Sequence, residues 1–366
     1  MTDSRVRTLL SGFALATSWT WCIGMFAPIL IGSLMGWPGI LAFAVPNILG
    51  CALFGYLRSA DQSRRETRDH ALAMSVFATA TVAYQVFFAG WLWGPVLRDS
   101  LPTTLELGTT FASGAIFAGA VLLAAFPRHI VWTLAAIAYP LSLLTFAFLP
   151  WGDMHAIPAQ GEWPAGGVLL VLPTVVFGFM LSPNLDLTFH RARQECAEGA
   201  RPTNFAVFGI AFASMLILTC CYLASPGGLN NPAVRAHMAL QLTLTSALQL
   251  SELRIAAIRP NTRLVLGVAA GSIGLLAALA AAAELIVGRE TYLRFLGLYG
   301  LAFPAYAALA LRSGARPRLP ALFALAIAVL AVTPLLDRSF TDVPSLATPL
   351  AVVIPLLAVA LFGRRR

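Results

Sequence analysis

Residues 178–194 place side chains that could bind an ion or a small solute inside a long apolar segment. The stretch reads GFMLSPNLDLTFHRARQ. Pro183 has no backbone N–H and clashes with the carbonyl four residues earlier, so we expect the helix to bend or break here. Ser182 or Asn184 can cap a second helix that begins at Leu185, and both are candidate substrate contacts. Inside a bilayer such a break is tolerated only where protein or a cavity surrounds the freed backbone groups.

Asp186 is the acidic residue beside the predicted break, and an ionisable residue at membrane depth is a functional-site hypothesis by default. It could bind a cation, carry a coupled proton or bind a cationic group of a substrate. Two structural alternatives stay open, stabilisation of the dipole of the second half-helix and pairing with Arg191 or Arg193. The sequence also predicts that His190, Arg191 and Arg193 form the solvated cytoplasmic end of this segment.

A second cluster of polar and aromatic residues lies near the N-terminus, in GFALATSWTWCIGMFAP at residues 12–28. Residues 17–21 are poor helix formers at the centre of an apolar run, which indicates an unwound segment. Ser18, Trp19 and Trp21 are therefore candidate substrate contacts. The alternative for the two tryptophans is simple packing between helices.

The whole chain supplies the elements that position these residues. It has 366 residues, of which 58% are hydrophobic and 11% charged. Apolar runs of about 20 residues, the length that spans a bilayer as a helix, recur throughout. The sequence therefore predicts an integral membrane protein. We place twelve spans at residues 9–34, 38–57, 73–97, 104–126, 129–150, 166–190, 203–224, 233–256, 264–287, 290–311, 319–336 and 345–362.

The basic residues are all arginine, since the chain contains no lysine. This excludes a Walker-type P-loop and a lysine Schiff base. The arginines are dispersed among helix ends, so they do not indicate a nucleic-acid partner. With a cytoplasmic N-terminus, 19 of the 24 arginines fall in cytoplasmic segments and five outside. The positive-inside rule thus predicts that both termini are cytoplasmic, in what we expect to be a bacterial inner membrane.

The predicted spans repeat with a period of about 160 residues, and spans six to ten match spans one to five. Five helices are an odd number, so the second unit enters the membrane from the opposite side, as in the inverted repeats of secondary transporters. The resulting division is a cytoplasmic N-terminus at 1–8, a first five-helix repeat at 9–150, an inverted repeat at 166–311, and two added helices with an arginine-rich cytoplasmic tail at 312–366.

Residues 18–57, SWTWCIGMFAPILIGSLMGWPGILAFAVPNILGCALFGYL, resemble the opening of sodium:solute symporters. More broadly the chain is similar to transporters of the leucine-transporter (LeuT) fold in the APC superfamily. The resemblance in architecture covers residues 9 to about 311. It implies an all-α polytopic membrane protein of about 12 transmembrane helices, with a 5+5 inverted-repeat core and two C-terminal helices. Known symporters of this family are usually longer and begin with an extra helix, so this chain would be a divergent member.

The resemblance also implies roles for residues in spans three and eight. In the family, one sodium ion lies between the unwound part of helix one and hydroxyl groups of helix eight. Thr245 and Ser246 match that hydroxyl pair, and main-chain carbonyls near 18–22 would complete the site. Alternatively, both hydroxyls bond a carbonyl of their own or a neighbouring helix. Helix three lines the substrate cavity in this fold, so Tyr84 and Gln85 could bind substrate, or another helix.

These features together predict a secondary active transporter, in which sodium drives symport of a small organic solute by alternating access between broken spans one and six. The expected partners are the lipid bilayer and the solute, with no cofactor beyond sodium. Proton coupling in the same fold is one alternative. A membrane-embedded enzyme or a non-transporting sensor are others, although HExxH and GxSxG motifs are absent and the histidines lie near helix ends or in loops. We therefore do not expect an enzyme.

Overall fold

The computed structural model describes residues 2–97, 105–164, 166–313, 316–341 and 345–363. These residues form fifteen α-helices and no β-strand. The helices are α1 (Thr2–Trp19), α2 (Cys22–Leu57), α3 (Ala60–Asp69), α4 (Ala71–Trp91), α5 (Leu105–Ala125), α6 (Arg128–Leu143), α7 (Gly167–Leu181), α8 (Leu187–Glu195), α9 (Arg201–Ala224), α10 (Pro232–Ile255), α11 (Pro260–Ala282), α12 (Gly288–Gly297), α13 (Phe303–Ser313), α14 (Leu319–Thr341) and α15 (Ala347–Phe362).

Helical segments long and apolar enough to cross a bilayer number nine in the described part of the chain. The chain is therefore a polytopic all-α membrane protein, as the sequence predicts. The nine segments are Cys22–Leu57, Ala71–Val96, Leu107–Ala125, Arg128–Phe148, Gly167–Leu185, Glu198–Ala224, Pro260–Ala282, Gly288–Ser313 and Leu319–Arg338.

The difference between nine segments and twelve predicted spans has three sources. Helix α2 is 36 residues long and holds both the second half of span one and all of span two. Helix α15 is apolar but has only 16 residues. Helix α10 is more polar, yet its polar side chains, including Gln241 and Gln249, are buried within the protein. Its low hydropathy thus reflects contact with protein instead of lipid.

Gly36 joins spans one and two without an intervening loop. Its φ of 63° and ψ of −155° interrupt α2, and this region of φ favours glycine. A Cβ at this position would lie 2.5 Å from the carbonyl oxygen of Pro158. The Trp37 N–H donates to that same oxygen at 3.1 Å. Conformation and close approach therefore both require glycine here.

The chain divides into two compact units, each built from three stretches. The first unit contains Met1–Leu30, Gly55–Ile157 and Leu187–Thr291. The second unit contains Ile31–Phe54, Pro158–Asp186 and Tyr292–Arg366. Both units draw on both predicted repeats, whose boundaries stay a prediction. Arg98 and the tail residues Arg364 to Arg366, which enter the charge-based topology, lie outside the described residues.

The first unit packs α1 against α6, α9 and α10 through polar as well as apolar contacts. The Thr17 hydroxyl donates to the Ala135 carbonyl at 2.8 Å, and Asn204 donates to the Ser11 hydroxyl at 2.9 Å. Hydrocarbon offers no hydrogen-bond partner to these polar groups. Such bonds between helices therefore fix the register of the helices.

The second unit holds the far end of span one in place through the connection before α7. The N–H groups of Glu162 and Trp163 donate to the carbonyls of Ser33 and Leu34, at 3.1 Å and 2.8 Å. These bonds satisfy carbonyls at the end of a helical stretch, which have no partner further along it.

Candidate functional site

Span one is broken, as its sequence predicts. Helix α1 ends at Trp19 and α2 begins at Cys22, so Thr20 and Trp21 lie outside regular helix. Gly24 lies within α2 and takes no part in the interruption. The polar and aromatic residues of the cluster, and not the nearby glycine, mark the break.

Side chains replace the backbone hydrogen bonds that the break removes. The Cys22 N–H, which in a continuous helix would donate to the Ser18 carbonyl, donates to Oε1 of Gln85 at 3.1 Å. The Ser18 carbonyl accepts instead from Nε1 of Trp21 at 2.5 Å. The Trp21 N–H turns back to the Trp19 carbonyl at 2.8 Å. Freed backbone groups at membrane depth are thereby satisfied by protein, as they must be.

Helix α10 places its hydroxyl pair at this break. The Thr245 hydroxyl donates to the Thr17 carbonyl at 2.9 Å. Ser246 is the next residue and is fully buried, and its hydroxyl has no hydrogen-bond partner among the described residues. A buried hydroxyl without a partner is costly and requires an explanation such as a bound ion or water.

Helix α4 contributes both predicted residues to the same region. Tyr84 and Gln85 are buried. The Tyr84 side chain lies beside the Cys22 thiol, and Gln85 accepts from the Cys22 N–H. Nε2 of Gln85 is buried with no partner in the described part of the chain. Gln85 thus supports the break with its oxygen and keeps an unused donor.

Helix α8 packs against the break and supplies two residues that the sequence did not single out. The Ser18 and Thr188 hydroxyls are hydrogen-bonded at 2.6 Å. The Trp19 ring meets the Phe189 ring edge-to-face, with centroids 4.9 Å apart, and also contacts Trp21 at 4.5 Å. The only sequence signal for Thr188 and Phe189 was their position directly after the break in span six.

Span six is also broken where its sequence predicts, although its second half begins two residues later than predicted. After α7 the chain continues as a tighter 3-10 turn, Ser182–Leu185, and leaves the helix at Asp186, whose backbone is extended. The second half-helix begins at Leu187 instead of Leu185. Helix α7 thus ends two residues before Pro183, and the proline lies at the first positions of the 3-10 turn, where a missing backbone N–H costs least.

The residues of the second unit that are predicted to contact substrate form hydrogen bonds within the protein. The Ser182 hydroxyl donates to the Tyr299 carbonyl at 3.1 Å, and the Asn184 amide donates to the Leu181 carbonyl at 3.0 Å. Asp186 is fully buried. Its carboxyl group therefore does not belong to a solvated helix end.

The prediction of a solvated end at His190 to Arg193 is wrong. His190 and Arg193 are fully buried, and Arg191 is 22% exposed. Nδ1 of His190 lies 2.8 Å from the Ser63 hydroxyl, and Nε of Arg193 donates to the Arg58 carbonyl at 2.6 Å. The reason is α3, a short helix between spans two and three, which packs against α8.

A cluster of ion pairs surrounds the end of α10. Glu252 is 2% exposed and accepts from Nε of Arg191 at 3.1 Å and from Nε1 of Trp132 at 3.3 Å. Arg128 lies 4.0 Å from the same carboxylate. Because removing one partner would leave a buried charge unpaired, this cluster holds α6, α8 and α10 together in the first unit.

The predicted site residues thus fall into two groups. In the first unit, Ser18, Trp19, Trp21, Tyr84, Gln85 and Thr245 come together at the break in span one. In the second unit, Ser182, Asn184 and Asp186 lie in the turn that ends the first half of span six.

Comparison with known proteins gives a fold but no family. No family model and no curated protein matches the chain. Among solved structures, the inward-facing conformation of Mhp1 has a TM-score of 0.50 at 15% identity, covering 96% of this chain and 90% of that one. A closed conformation of Mhp1 with bromovinylhydantoin bound, described as a nucleobase-cation-symport-1 family transporter, has a TM-score of 0.50 at 13% identity, covering 96% and 93%.

The chain shares the fold of Mhp1. This confirms the predicted leucine-transporter type of fold, with helices broken in mid-membrane. Identity this low carries the fold alone. Function has to be argued from the site.

Proposed function

We propose that this protein is a secondary active transporter in which sodium drives symport of a small organic solute by alternating access. The observation that carries the proposal is the hydrogen bond from the Thr245 hydroxyl to the Thr17 carbonyl, beside the buried Ser246 hydroxyl, which has no partner among the residues that the structure describes. Both lie where span one unwinds. Unwound backbone and hydroxyls at such a point are the oxygen ligands that secondary transporters use for sodium.

The proposed ion site consists of neutral oxygens only. Thr245 donates its hydrogen to the Thr17 carbonyl and so keeps oxygen lone pairs for a cation. Ser246 and main-chain carbonyls near 18–22 would supply the remaining ligands. Neutral oxygens suit a monovalent ion, because its single charge needs no carboxylate to balance it.

The proposed solute site uses the Gln85 amide donor, which has no partner among the described residues, and the aromatic faces of Trp19 and Trp21. Ser182 and Asn184, in the second unit, are proposed as solute contacts in their own right. A planar solute with carbonyl acceptors matches an amide donor beside aromatic rings. The Mhp1 structure with bromovinylhydantoin bound makes hydantoins and nucleobases sensible first compounds to test.

We further propose that Asp186 serves in coupling or gating. Its complete burial at a helix break favours this over a solvated role. Proton coupling through Asp186 is the variant that would replace sodium. Asp186→Asn separates the two: transport with an unchanged pH dependence would return the residue to a structural role.

The proposal includes the architecture that alternating access needs. We propose inverted repeats at 9–150 and 166–311, a distant relationship to sodium:solute symporters, cytoplasmic termini and a bacterial inner membrane. Breaks in spans one and six, at corresponding positions of the two repeats, support the repeat. Cysteine labelling from each side of the membrane would test the orientation.

The deciding experiment is uptake into proteoliposomes under an imposed sodium gradient, with a panel of labelled hydantoins, nucleobases, amino acids and sugars. We expect accumulation that collapses when the gradient is dissipated. Thr245→Ala combined with Ser246→Ala should remove the sodium dependence. Thr243→Ala is the matched control, because its half-buried hydroxyl bonds the Ala239 carbonyl of its own helix at 2.8 Å. Sodium dependence that survives the double substitution would refute the ion site.

A further inference from the structure

An apolar groove of about 800 Å³ lies in the first unit among α4, α5, α10 and α11. Its walls include Gly114, Phe117, Val121, Gly267, Val268 and Gly271. None of these residues belongs to the proposed transport site. The groove therefore requires an explanation of its own.

The groove opens to the outside of the protein along an apolar helix face. Leu264 and Val268 on α11 are 69% and 58% exposed. A Cβ added at Gly114 or at Gly267 would meet no atom within 4 Å, so these glycines do not serve close packing of described helices. In a membrane, an open apolar groove of this kind fits an acyl chain, which is as apolar as the side chains around it.

One end of the groove carries positive charge that no carboxylate among the described residues balances. Arg254 and Arg263 line the cavity. Arg254 donates to the carbonyls of Ala125 and Phe126, at 3.0 Å and 3.1 Å. Arg263 donates to the carbonyls of Ile258 and Arg254, at 3.1 Å and 2.9 Å. Within the described residues neither arginine has an acidic partner.

These bonds leave further N–H groups on each guanidinium, which has five in all. The remaining guanidinium N–H groups of Arg254 and Arg263 can donate to phosphate oxygens, which arginine binds well. The arginines lie at the helix ends that the charge distribution predicts to be cytoplasmic. Basic pockets between transmembrane helices on that side are typical sites for anionic lipid head groups.

The start of α11 adds a second feature that attracts anions. Pro260 opens the helix and also lines the groove. Arg259 at the N-cap position makes no side-chain cap hydrogen bond. Helix N-termini carry partial positive charge and free N–H groups, so they favour phosphate.

We propose that this groove binds an anionic glycerophospholipid, with its phosphate at Arg254, Arg263 and the start of α11 and one acyl chain along the glycine-lined wall. A zwitterionic lipid is disfavoured because its head-group cation would face the arginines. A second copy of this chain would bring an apolar surface to the groove but no phosphate for its basic end.

The test measures lipid binding to the purified full chain in neutral detergent. Native mass spectrometry would compare phosphatidylglycerol with phosphatidylcholine of identical acyl chains. We expect retained phosphatidylglycerol and little phosphatidylcholine. Arg254→Gln with Arg263→Gln should weaken phosphatidylglycerol binding by about ten-fold or more. Arg65→Gln with Arg68→Gln removes the same charge from exposed positions on α3 and should leave binding unchanged.

A second variant covers the case in which the arginine changes disturb folding, since Arg254 also caps α5. Gly267→Leu places a side chain in the groove at a position where a Cβ meets no atom within 4 Å, and should lower phosphatidylglycerol binding in a folded protein. Equal binding of the two lipids by the wild type would overturn the proposal. The proposal would also be overturned if Gly267→Leu left lipid binding unchanged but converted a wild-type dimer into a monomer. That result would show that a second copy of the chain occupies the groove. The measurement involves no sodium or solute, so it stands or falls separately from transport.

Discussion

At the scale of single residues, the break in span one is a set of exchanged hydrogen bonds. Gln85, Trp21 and Thr245 each bond a backbone group that a continuous helix would bond itself. Leaving such a buried group unpaired would cost about 1–3 kcal/mol. The break is therefore a stable feature of the native structure with specific supports.

The Ser18–Thr188 hydrogen bond is predicted to couple the break in span one to α8. In a double-mutant cycle with Ser18→Ala and Thr188→Val, we expect a coupling free energy of about 1 kcal/mol, measured by unfolding in detergent. Thr133→Val provides the control, because its exposed hydroxyl bonds its own helix at His129. The changes in unfolding free energy caused by Thr133→Val and Thr188→Val should be additive. Additivity between Ser18→Ala and Thr188→Val themselves would show that the bond does not connect the two elements.

Residue types predicted part of this site and missed another part. The resemblance to transporters of the leucine-transporter fold predicts roles for the Thr245 and Ser246 hydroxyls and the Gln85 amide, because it places spans eight and three beside the break. The burial of Arg193 was not predictable, because its partners are a carbonyl at Arg58 and a carboxylate at Glu198. Only the tertiary packing of α3 on α8 brings Arg58 and Arg193 together.

At the scale of elements, prolines and glycines have different effects that depend on their surroundings. Pro183 coincides with a change to a 3-10 turn before the chain leaves the helix, whereas Pro173 lies inside α7 with no interruption. Helix α3 carried a signal that could have predicted it: the Ser59 hydroxyl accepts from the Gln62 N–H, and the two residues have capping-box spacing.

Replacing Gly36 should destabilise the fold more than replacing Gly267. Gly36→Ala combines a positive φ with a close approach to the Pro158 carbonyl, so we expect destabilisation of more than about 1 kcal/mol. Gly267→Ala is the matched control in a regular helix with open space, and should be neutral or slightly stabilising. Thermal unfolding of both variants in the same detergent would check this order. Equal melting temperatures would contradict it.

Glu66 on α3 provides a prediction about pH. Burial raises the pKa of Glu66 above its ordinary value, and Arg58 offsets part of the rise. A carboxyl group with a raised pKa in the folded state favours folding below its unfolded pKa of about 4.3, and that contribution is lost as the pH rises through the folded pKa. The side chain of the Glu66→Gln variant stays neutral at both pH values. The melting temperature of the variant minus that of the wild type should therefore be larger at pH 7 than at pH 4. A difference independent of pH, or one larger at pH 4, would contradict this.

At the scale of the whole molecule, the chain is a membrane protein with the fold of Mhp1 and two compact units. Apolar runs of the length that spans a bilayer are enough to predict its class from sequence. The division into units was not predictable, because each unit joins stretches distant in the chain. The first unit holds the complete proposed sodium site, which connects α1, α2 and α10. Sodium bound there should stabilise that unit as a whole.

The central claim is tested most directly by comparing sodium with potassium at equal ionic strength. We predict that sodium raises the melting temperature of the wild type, by an increment that grows with the logarithm of its concentration above Kd. Equilibrium binding of radioactive sodium should give a matching affinity. Ser246→Ala should lose both effects, while Thr243→Ala keeps them. A wild-type protein that responds equally to the two cations, or a Ser246→Ala variant that still binds sodium normally, would contradict the account.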